Sequence, residues 1–403
     1  MNQLEKCLVR NIEAKWKDAT PGLRVQAFRA KQKIVDLAWG NVFPFYDWAS
    51  LTKIVFTNTA LMLLVEDGVL NLEDSPDEWL SWWPGQRGRL LTDLLTHSAG
   101  LRWWYPFYKK IAHSGRRSAE DSLSKAIKRE DRPLAAWNLF RPEVVRIVRS
   151  DLNKKATFDR HGRYVADKSV YSDLDFLVLG EILQEMMQKG LNDIWLTMSE
   201  QMGLENVHFN PGNHPRYKKH LYAPTEKCPW RKKILQGEVH DDNAWALAGV
   251  APHAGLFGGI DDLSFWGRQL RKVYRGELVR GYPRPETLHR FTKRAMPVDK
   301  GDWALGFMLP SGASHFSGIQ RGKMSTPVSA SCGPLFSSES FGHTGFTGTS
   351  IWYDPKQDLL ITILSNRVHP TRSNELFRQL RPEIHTLIAE RCQPLFRDSS
   401  RNP

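Results

Sequence analysis

Cysteine is scarce in this 403-residue chain, and its four copies, Cys7, Cys228, Cys332 and Cys392, lie far apart. None belongs to a CxxC pair, and none is spaced from a histidine as a structural zinc site requires. The pattern therefore fits neither a disulfide framework nor a zinc module. We expect four reduced thiols and no bound metal.

Long hydrophobic runs are also missing. No uncharged apolar stretch reaches the roughly 18 residues that a membrane-spanning helix needs. Glu5, Arg10, Glu13 and Lys15 interrupt the N-terminal stretch, which therefore lacks the apolar core of a secretory signal peptide. The sequence predicts a cytoplasmic protein without a membrane partner.

Charge is not concentrated in any one segment, although the formal net charge is +12. A basic surface can steer anionic partners. Basic residues that are spread along the whole chain favour a solubilising surface instead, so we expect no nucleic-acid partner. Hydrophobic residues make up 41% of the chain, as in globular proteins, and disorder is expected only in the tail, residues 397–403.

Strand signals occur at both ends of the chain, and helix signals dominate the middle. An amphipathic helix opens the sequence, and "GLRVQAFR" followed by "IVDLAWG" predicts a β-hairpin. Further along come a helix from about Asp261 and a second hairpin, "TSIWYD" and "DLLITILSN". "RPEIHTLIAERCQ" predicts a closing helix with its proline near the start.

This order predicts an α+β fold, an antiparallel β-sheet flanked by helices with an inserted, mostly helical lobe. We expect one catalytic domain over residues 1–396. Its α/β lobe would cover about residues 1–70 and 246–396, and its helical lobe about residues 71–245. A cleft between the two lobes is the expected binding site.

A serine and a lysine three residues apart stand at the front of a long apolar stretch, "SLTKIVFTNTALMLLVEDG". Ser50 and Lys53 would share one face of the first helical turn. Burial and the positive end of the helix dipole both predict a lowered pKa for Lys53 and hence a neutral amine. Such an amine would activate Ser50 as a nucleophile. The alternative is an N-cap serine with a lysine that reaches solvent.

Four further segments follow in order: "LLTDLLTHSAGL", "VYSDLDFLVLGEIL", "EVHDDNAWALAGVAPHAGLFGGIDDLSFW" and "FGHTGFTGTSIWYDPKQDLLITILSNR". With the Ser-Lys motif, they make residues 20 to 390 resemble the serine β-lactamase and penicillin-binding-protein superfamily. The class C-type branch of peptidases and esterases is the most similar part of it. The resemblance implies a β-lactamase/transpeptidase-like fold and a serine hydrolase that forms an acyl-enzyme without a cofactor.

The resemblance also implies roles for single residues. Ser50 would be the acylated nucleophile and Lys53 its base. Tyr171, which opens "YSD", would shuttle protons between nucleophile, lysine and leaving group. The oxyanion hole would consist of the backbone N–H groups of Ser50 and Phe346.

Two positions depart from the pattern of the superfamily. Asp173 stands where that pattern has an asparagine that binds a substrate amide, and an acid there favours a charged Lys53. The triplet His343, Thr344 and Gly345 stands where the pattern has Lys-Thr-Gly on the strand beside the cleft. A histidine, largely neutral near pH 7, is a weaker partner for a substrate carboxylate. Both departures argue against β-lactam substrates.

Two other clusters are weaker candidates. The aromatic stretch from Trp103 to Tyr108 would form either a wall for an apolar or sugar-bearing acyl group or part of the core. The segment "EVHDDN" contains Glu238, His240, Asp241 and Asp242, but its spacing matches no standard metal site.

The sequence therefore predicts a serine hydrolase that acts on an ester, a small amide or a D-amino-acid peptide related to cell-wall fragments. Its partner would be a small-molecule or peptide substrate. A true β-lactamase or D,D-carboxypeptidase is the alternative among enzymes. A catalytically silent ligand-binding module is the alternative of another class.

Overall fold

The computed structural model describes most of the chain, namely residues 1–84, 89–109, 128, 131–154, 157–159, 164–165, 168–311 and 331–392. The predicted tail, residues 397–403, lies outside them. The strands are β1 (Gly22–Arg29), β2 (Gln32–Gly40), β3 (Tyr46–Asp47), β4 (Thr157–Phe158), β5 (Tyr164–Val165), β6 (Lys227–Cys228), β7 (Lys233–Ile234), β8 (Phe257–Gly258), β9 (Phe341–Thr344), β10 (Ser350–Asp354) and β11 (Leu359–Ser365).

The α-helices lie between and around these strands. They are α1 (Gln3–Asn11), α2 (Thr59–Glu66), α3 (Leu91–Leu95), α4 (Arg132–Leu152), α5 (Asp173–Met187), α6 (Leu191–Met202), α7 (Asp242–Ala246), α8 (Ile260–Tyr274), α9 (Pro285–Thr292) and α10 (Phe377–Cys392). Two segments, Ile12–Trp16 and Lys53–Asn58, are π-helical. None of the helices in the described ranges is long and apolar enough to cross a bilayer.

A five-stranded antiparallel sheet joins the two ends of the chain, in the order β2-β1-β11-β10-β9. Both predicted hairpins, β1–β2 and β10–β11, are confirmed. Successive side chains of a strand point to opposite faces of the sheet, and every residue of β10 and β11 is buried. Ile351 faces one core cluster and its neighbour Trp352 faces the other. The predicted α+β fold is confirmed as well.

Helices cover both faces of this sheet. Helix α8 packs on one face, where Gly267 permits close approach, because a Cβ at that position would lie 2.7 Å from Ile351 Cδ1. Helices α1 and α10 cover the other face around Val25, Ile361 and Trp352. The sheet is therefore buried on both sides, and its edge strand β9 borders the cavity described below.

Two predictions about helices were wrong. The closing helix α10 begins at Phe377, so Pro382 lies inside it rather than near its start. The Ser-Lys segment is not a simple α-helical turn: Ser50 lies in the turn before the π-helix Lys53–Asn58, which α2 continues. The middle of the chain contains α3 to α6 and the short hairpins β4–β5 and β6–β7. The lobe boundaries stay predictions.

Candidate active site

Ser50 lies in a constrained turn between β3 and the π-helix. The preceding Ala49 has a φ of 49°, in the left-handed region that non-glycine residues rarely adopt. The buried Asp47 stabilises the turn, because its carboxylate accepts the N–H of Ala49 at 2.9 Å and that of His240 at 2.7 Å. The Lys53 N–H donates to the Ser50 carbonyl at 3.1 Å. Strain of this kind is common at functional sites.

The Lys53 ammonium connects Ser50 to two other parts of the chain. It is fully buried and donates to Ser50 Oγ at 3.1 Å, Asp173 Oδ1 at 2.6 Å and the His253 carbonyl at 3.2 Å. Asp173 is in place because it opens α5, whose N-cap Ser172 accepts the N–H groups of Leu174 and Asp175. Helix α5 therefore delivers the counter-ion of Lys53.

The prediction of a lowered pKa for Lys53 was wrong. Burial by itself lowers it, as expected, but the charge of Asp173, the Tyr171 phenol and their hydrogen bonds outweigh burial. The net shift of the Lys53 pKa is upward. The resting site therefore holds an ammonium paired with a carboxylate rather than a neutral amine.

Tyr171 approaches Ser50 from the other side. Its Oη–H donates to Ser50 Oγ at 2.8 Å. The ring stacks on Trp303 with a centroid distance of 5.7 Å, and His97 packs edge-on at 4.8 Å. Burial raises the pKa of Tyr171, an effect that Lys53 opposes and Asp173 reinforces. Tyr171 is therefore a phenol at neutral pH, and two aromatic neighbours that also contact each other orient it.

The triplet His343, Thr344 and Gly345 lies at the end of edge strand β9, beside Ser50. His343 is buried, and burial and the Lys53 charge lower its pKa to about 3, so it is neutral as expected. Its Nδ1 pairs with the Thr344 carbonyl at 2.9 Å. A Cβ on Gly345 would lie 2.6 Å from the carbonyl oxygen of Trp48. Because glycine has no Cβ, the end of β9 can approach the Ser50 turn closely.

The two backbone groups expected in the oxyanion hole flank the same cavity. Among the described residues, neither the Ser50 N–H nor the Phe346 N–H donates to a protein acceptor. Phe346 is half exposed, and Arg367 Nε donates to its carbonyl at 2.8 Å. Both N–H groups are therefore available to a ligand oxygen.

The cavity at Ser50 has a volume of about 370 Å³ and is lined by Ser50, Tyr171, Trp303, His343, Gly345 and Phe346, among others. Arg367, Arg378 and Arg381 line it as well and make one part of it basic. Sequence reasoning missed these arginines. Arg378 and Arg381 are three residues apart, which places them on one helix face, but the predicted helix began only at Arg381.

A sequence model of the family described as Beta-lactamase matches residues 8–383. The chain belongs to the β-lactamase family. The resemblance drawn from the five sequence segments is thereby confirmed, and with it the assignment as a serine hydrolase. A Salmonella gallinarum protein, provisionally named a D-alanyl-D-alanine carboxypeptidase, is 27% identical over 354 residues, covering 82% of this chain and 71% of that protein.

Solved structures of this fold are similar over nearly the whole chain. A penicillin-binding protein homologue from Pyrococcus abyssi, described as octameric, has a TM-score of 0.62 at 15% identity. The match covers 96% of this chain and 77% of the homologue. EstCE1, a hydrolase with promiscuous acyltransferase activity, has a TM-score of 0.61 at 16% identity, covering 95% and 99%. At these identities the likeness shows the fold alone.

One group of side chains in this β-lactamase family member has the composition of a metal site. Ligand atoms of Asp173, Asp241 and His253 lie within 4.8 Å of one another. However, Lys53 already occupies the Asp173 oxygen, and His253 Nε2 pairs with Asp241 at 3.1 Å. A divalent cation would face the buried ammonium of Lys53, so we assign these groups to its ion-pair network.

The other two candidates from the sequence have different outcomes. Glu238 and Asp242 of "EVHDDN" are paired with Arg231, at 3.3 and 2.7 Å. In the aromatic stretch, Trp103 is 53% exposed and Phe107 is 2% exposed, so the stretch divides between surface and core. Its members are not among the residues that line the Ser50 cavity. A role for them in binding stays a prediction.

Proposed function

We propose that this β-lactamase family member hydrolyses small peptides or esters whose leaving group carries a free carboxylate, with D-amino-acid peptides as the main class. The observation that carries this proposal is the basic part of the Ser50 cavity. A carboxylate bound by the arginines would place the adjacent carbonyl next to Ser50. The carboxylate would then bind to arginines rather than to His343, which occupies the position of the lysine in the superfamily pattern.

Arg381 has unused binding capacity, whereas Arg367 and Arg378 are paired with Glu375, at 4.0 and 2.6 Å. Arg381 is 7% exposed, and among the described residues no carboxylate pairs with it and its Nε has no hydrogen-bond partner. Burial and the charges of Arg367 and Arg378 lower the pKa of Arg381 to about 9. Burial also lowers the pKa of Arg367 to about 10. Both pKa values rise when an anion binds, so binding a carboxylate relieves an unfavourable charge cluster.

The chemistry follows from the positions of the side chains. Ser50 Oγ attacks the substrate carbonyl, and the N–H groups of Ser50 and Phe346 stabilise the oxyanion. Tyr171, whose Oη lies 2.8 Å from Ser50 Oγ, donates a proton to the leaving group as the acyl-enzyme forms. Water then releases the acyl group by the reverse sequence of proton transfers. These residue roles are part of the proposal.

A pair of matched substrates tests the proposal. N-acetyl-D-alanyl-D-alanine and its C-terminal carboxamide differ only in the charge that the arginines would bind. We expect kcat/KM for the acid to exceed that for the amide at least about tenfold. Arg381→Met should remove the difference, and Arg391→Met, an exposed arginine on the same helix α10, should preserve it. Equal turnover of the two substrates by the unmodified protein would contradict the proposal.

The alternatives make different predictions. β-Lactams also carry a carboxylate, so the arginines favour a β-lactamase as the second candidate. Rapid turnover of a chromogenic cephalosporin would identify that activity. A silent binding module would show no covalent adduct by intact-mass spectrometry after exposure to either substrate class. The cytoplasmic location and the absence of nucleic-acid and membrane partners remain predictions from the sequence.

A further inference from the structure

The Lys53 ammonium bridges the Ser50 hydroxyl and the Asp173 carboxylate, with contacts of 3.1 and 2.6 Å on its two sides. We propose that Asp173 is the final acceptor of the Ser50 proton, which Lys53 relays to it. The inference rests on the proposed role of Ser50 as nucleophile. It replaces the neutral lysine base that the sequence predicted with an ion pair that works as one unit.

The surroundings of Ser50 Oγ require such an acceptor. In the part of the chain that the structure describes, Lys53 and Tyr171 are the side chains that contact Ser50 Oγ, and both donate hydrogen bonds to it. The pKa of each is raised by its surroundings, so both carry their protons at neutral pH. Neither can accept the serine proton unless it first gives up one of its own.

Asp173 is the group that can receive that proton. It accepts the Lys53 ammonium through Oδ1, and its side chain is 15% exposed. Among the described residues, no second side chain hydrogen-bonds to this carboxylate. Protonation would therefore displace no other protein partner. The third acceptor of Lys53, the His253 carbonyl, is a backbone oxygen and is not a base at neutral pH.

The step is balanced in atoms and charge. As the bond from Ser50 Oγ to the substrate carbonyl carbon forms, its O–H bond breaks and the proton passes to Lys53 Nζ. One N–H bond of Lys53 breaks at the same time, and its proton binds Asp173 Oδ1. The pair gains one positive charge while the carbonyl oxygen becomes an oxyanion. When the leaving-group bond breaks, Tyr171 protonates the departing atom, and a proton returns from Asp173 through Lys53 to Tyr171, with which Lys53 also interacts directly.

Other titratable groups face this pair from the packed elements. Ligand atoms of Asp241 and His253 lie within 4.8 Å of Asp173. Burial and the Lys53 charge lower the pKa values of His97 and His343, and hydrogen bonds and the Lys53 charge lower that of Asp241. Asp175, buried on α5, has a raised pKa because of burial. None of these five side chains hydrogen-bonds to Ser50 Oγ or Lys53 Nζ in the described ranges. Asp173 therefore differs from these groups because its carboxylate accepts a hydrogen bond from Lys53 Nζ.

The test is the pH profile of Ser50 acylation by a fluorophosphonate, a probe whose reaction depends on removal of the serine proton. If Asp173 accepts the proton, the rate for the unmodified protein is constant from about pH 6 to about pH 9. If Lys53 must first lose its own proton to solvent, the rate rises about tenfold per pH unit across that range. Such a rise would overturn the proposal.

Asp173→Asn sharpens the test, because asparagine keeps the shape and a hydrogen bond to Lys53 but cannot accept a proton. The base must then be Lys53 itself, so the acid limb of the profile should move upward by more than one pH unit. Asp193→Asn, the matched change in the first turn of α6, should leave the profile unchanged. Coincident profiles for Asp173→Asn and the unmodified protein would assign Asp173 a merely structural role.

Intact-mass spectrometry and thermal melting accompany each profile. They confirm one adduct on a folded protein. Asp173→Glu is a second variant that keeps the carboxylate, and it should restore the low-pH limb even if the rate is reduced. Absence of labelling in the unmodified protein would contradict the role of Ser50 itself, and this outcome is distinct from a changed pH profile.

Discussion

The guanidinium of Arg367 lies 4.6 Å above the ring of Phe346, and its Nε donates to the Phe346 carbonyl at 2.8 Å. Its Nη1 donates to the Asn374 carbonyl at 2.6 Å. One buried side chain thus connects Phe346, whose N–H we propose for the oxyanion hole, to the loop before α10. The position of that N–H depends on Arg367.

Arg367→Lys should slow acylation of Ser50 by about 10- to 100-fold, because lysine keeps the charge but loses the planar set of donors. The measurement is the rate of fluorophosphonate labelling, followed by mass spectrometry. Arg391→Lys is the exposed control. A lower melting temperature with an unchanged labelling rate would show that Arg367 only stabilises the fold.

Tyr171→Phe should affect amides and activated esters differently. The variant removes the O–H that donates to Ser50 Oγ and that we propose to protonate the leaving group. Amide hydrolysis should fall by roughly 10²- to 10⁴-fold, since an amine leaves only when protonated. Hydrolysis of p-nitrophenyl acetate, whose leaving group needs no proton, should fall much less. Equal losses for both substrates would contradict the proton-donor role.

Asp173→Ala should destabilise the protein by about 3 kcal/mol, because it leaves the buried Lys53 ammonium without its counter-ion. Lys53→Met combined with Asp173→Ala should regain much of that stability, since no unpaired charge remains. Urea denaturation of the two single variants and the double variant measures the coupling as a double-mutant cycle. Additive effects would show that the pair is not coupled.

Acid should destabilise the fold before the carboxylates titrate. Burial lowers the pKa of His385 to about 4, so the unfolded chain takes up a proton there below about pH 6.5 while the folded chain does not. The contribution of neutral His385 to the free energy of unfolding is therefore complete above about pH 6.5 and is lost as the pH falls towards 4. This residue alone should contribute roughly 2 kcal/mol to the loss between pH 7 and pH 5.

His385→Leu should therefore reduce the loss of unfolding free energy between pH 7 and pH 5 by about that amount. Urea denaturation at the two pH values measures it. His220→Leu, at an exposed position, is the control. A loss in His385→Leu as large as in the unmodified protein would show that His385 does not titrate as its burial implies.

The sheet was predictable because its strands are short apolar runs joined in pairs by brief polar turns, and both are local properties of the sequence. The position of Pro382 was not, because the packing of α10 against Ile361 and Trp352 extends this helix toward its N-terminus beyond the proline. The preference of proline for the first turn of a helix is a local rule, and it takes no account of tertiary contacts that extend a helix.

Within the site, the resemblance named even the distant Tyr171 and Asp173, which the structure places at Ser50 and Lys53, but the pKa of Lys53 and the arginines were not predicted. Ser50 and Lys53 were recognisable together because three residues separate them. The pKa of Lys53 was predicted in the wrong direction. Its burial can be inferred from the apolar residues around it in the sequence. The effect of Asp173, 120 residues away, depends on the distance between the two charges, which only the structure gives. The basic part of the cavity was not predicted, because Arg367 and Arg381 line the same cavity as Ser50 only in the folded chain.

The pairing of β1 with β11 has a consequence for how the enzyme is made. Val25 lies opposite Ile363. Strand β1 can therefore pair with β11 only after the ribosome has added more than three hundred further residues. Contacts of such long range fold slowly, and until they form the early strands lack their partners. Ser50 leaves the ribosome long before Gly345 and Arg381. A nascent chain that has reached only Ser50 therefore lacks the strand and the arginines that complete the candidate site, and we expect hydrolysis only after Arg381 has been synthesised.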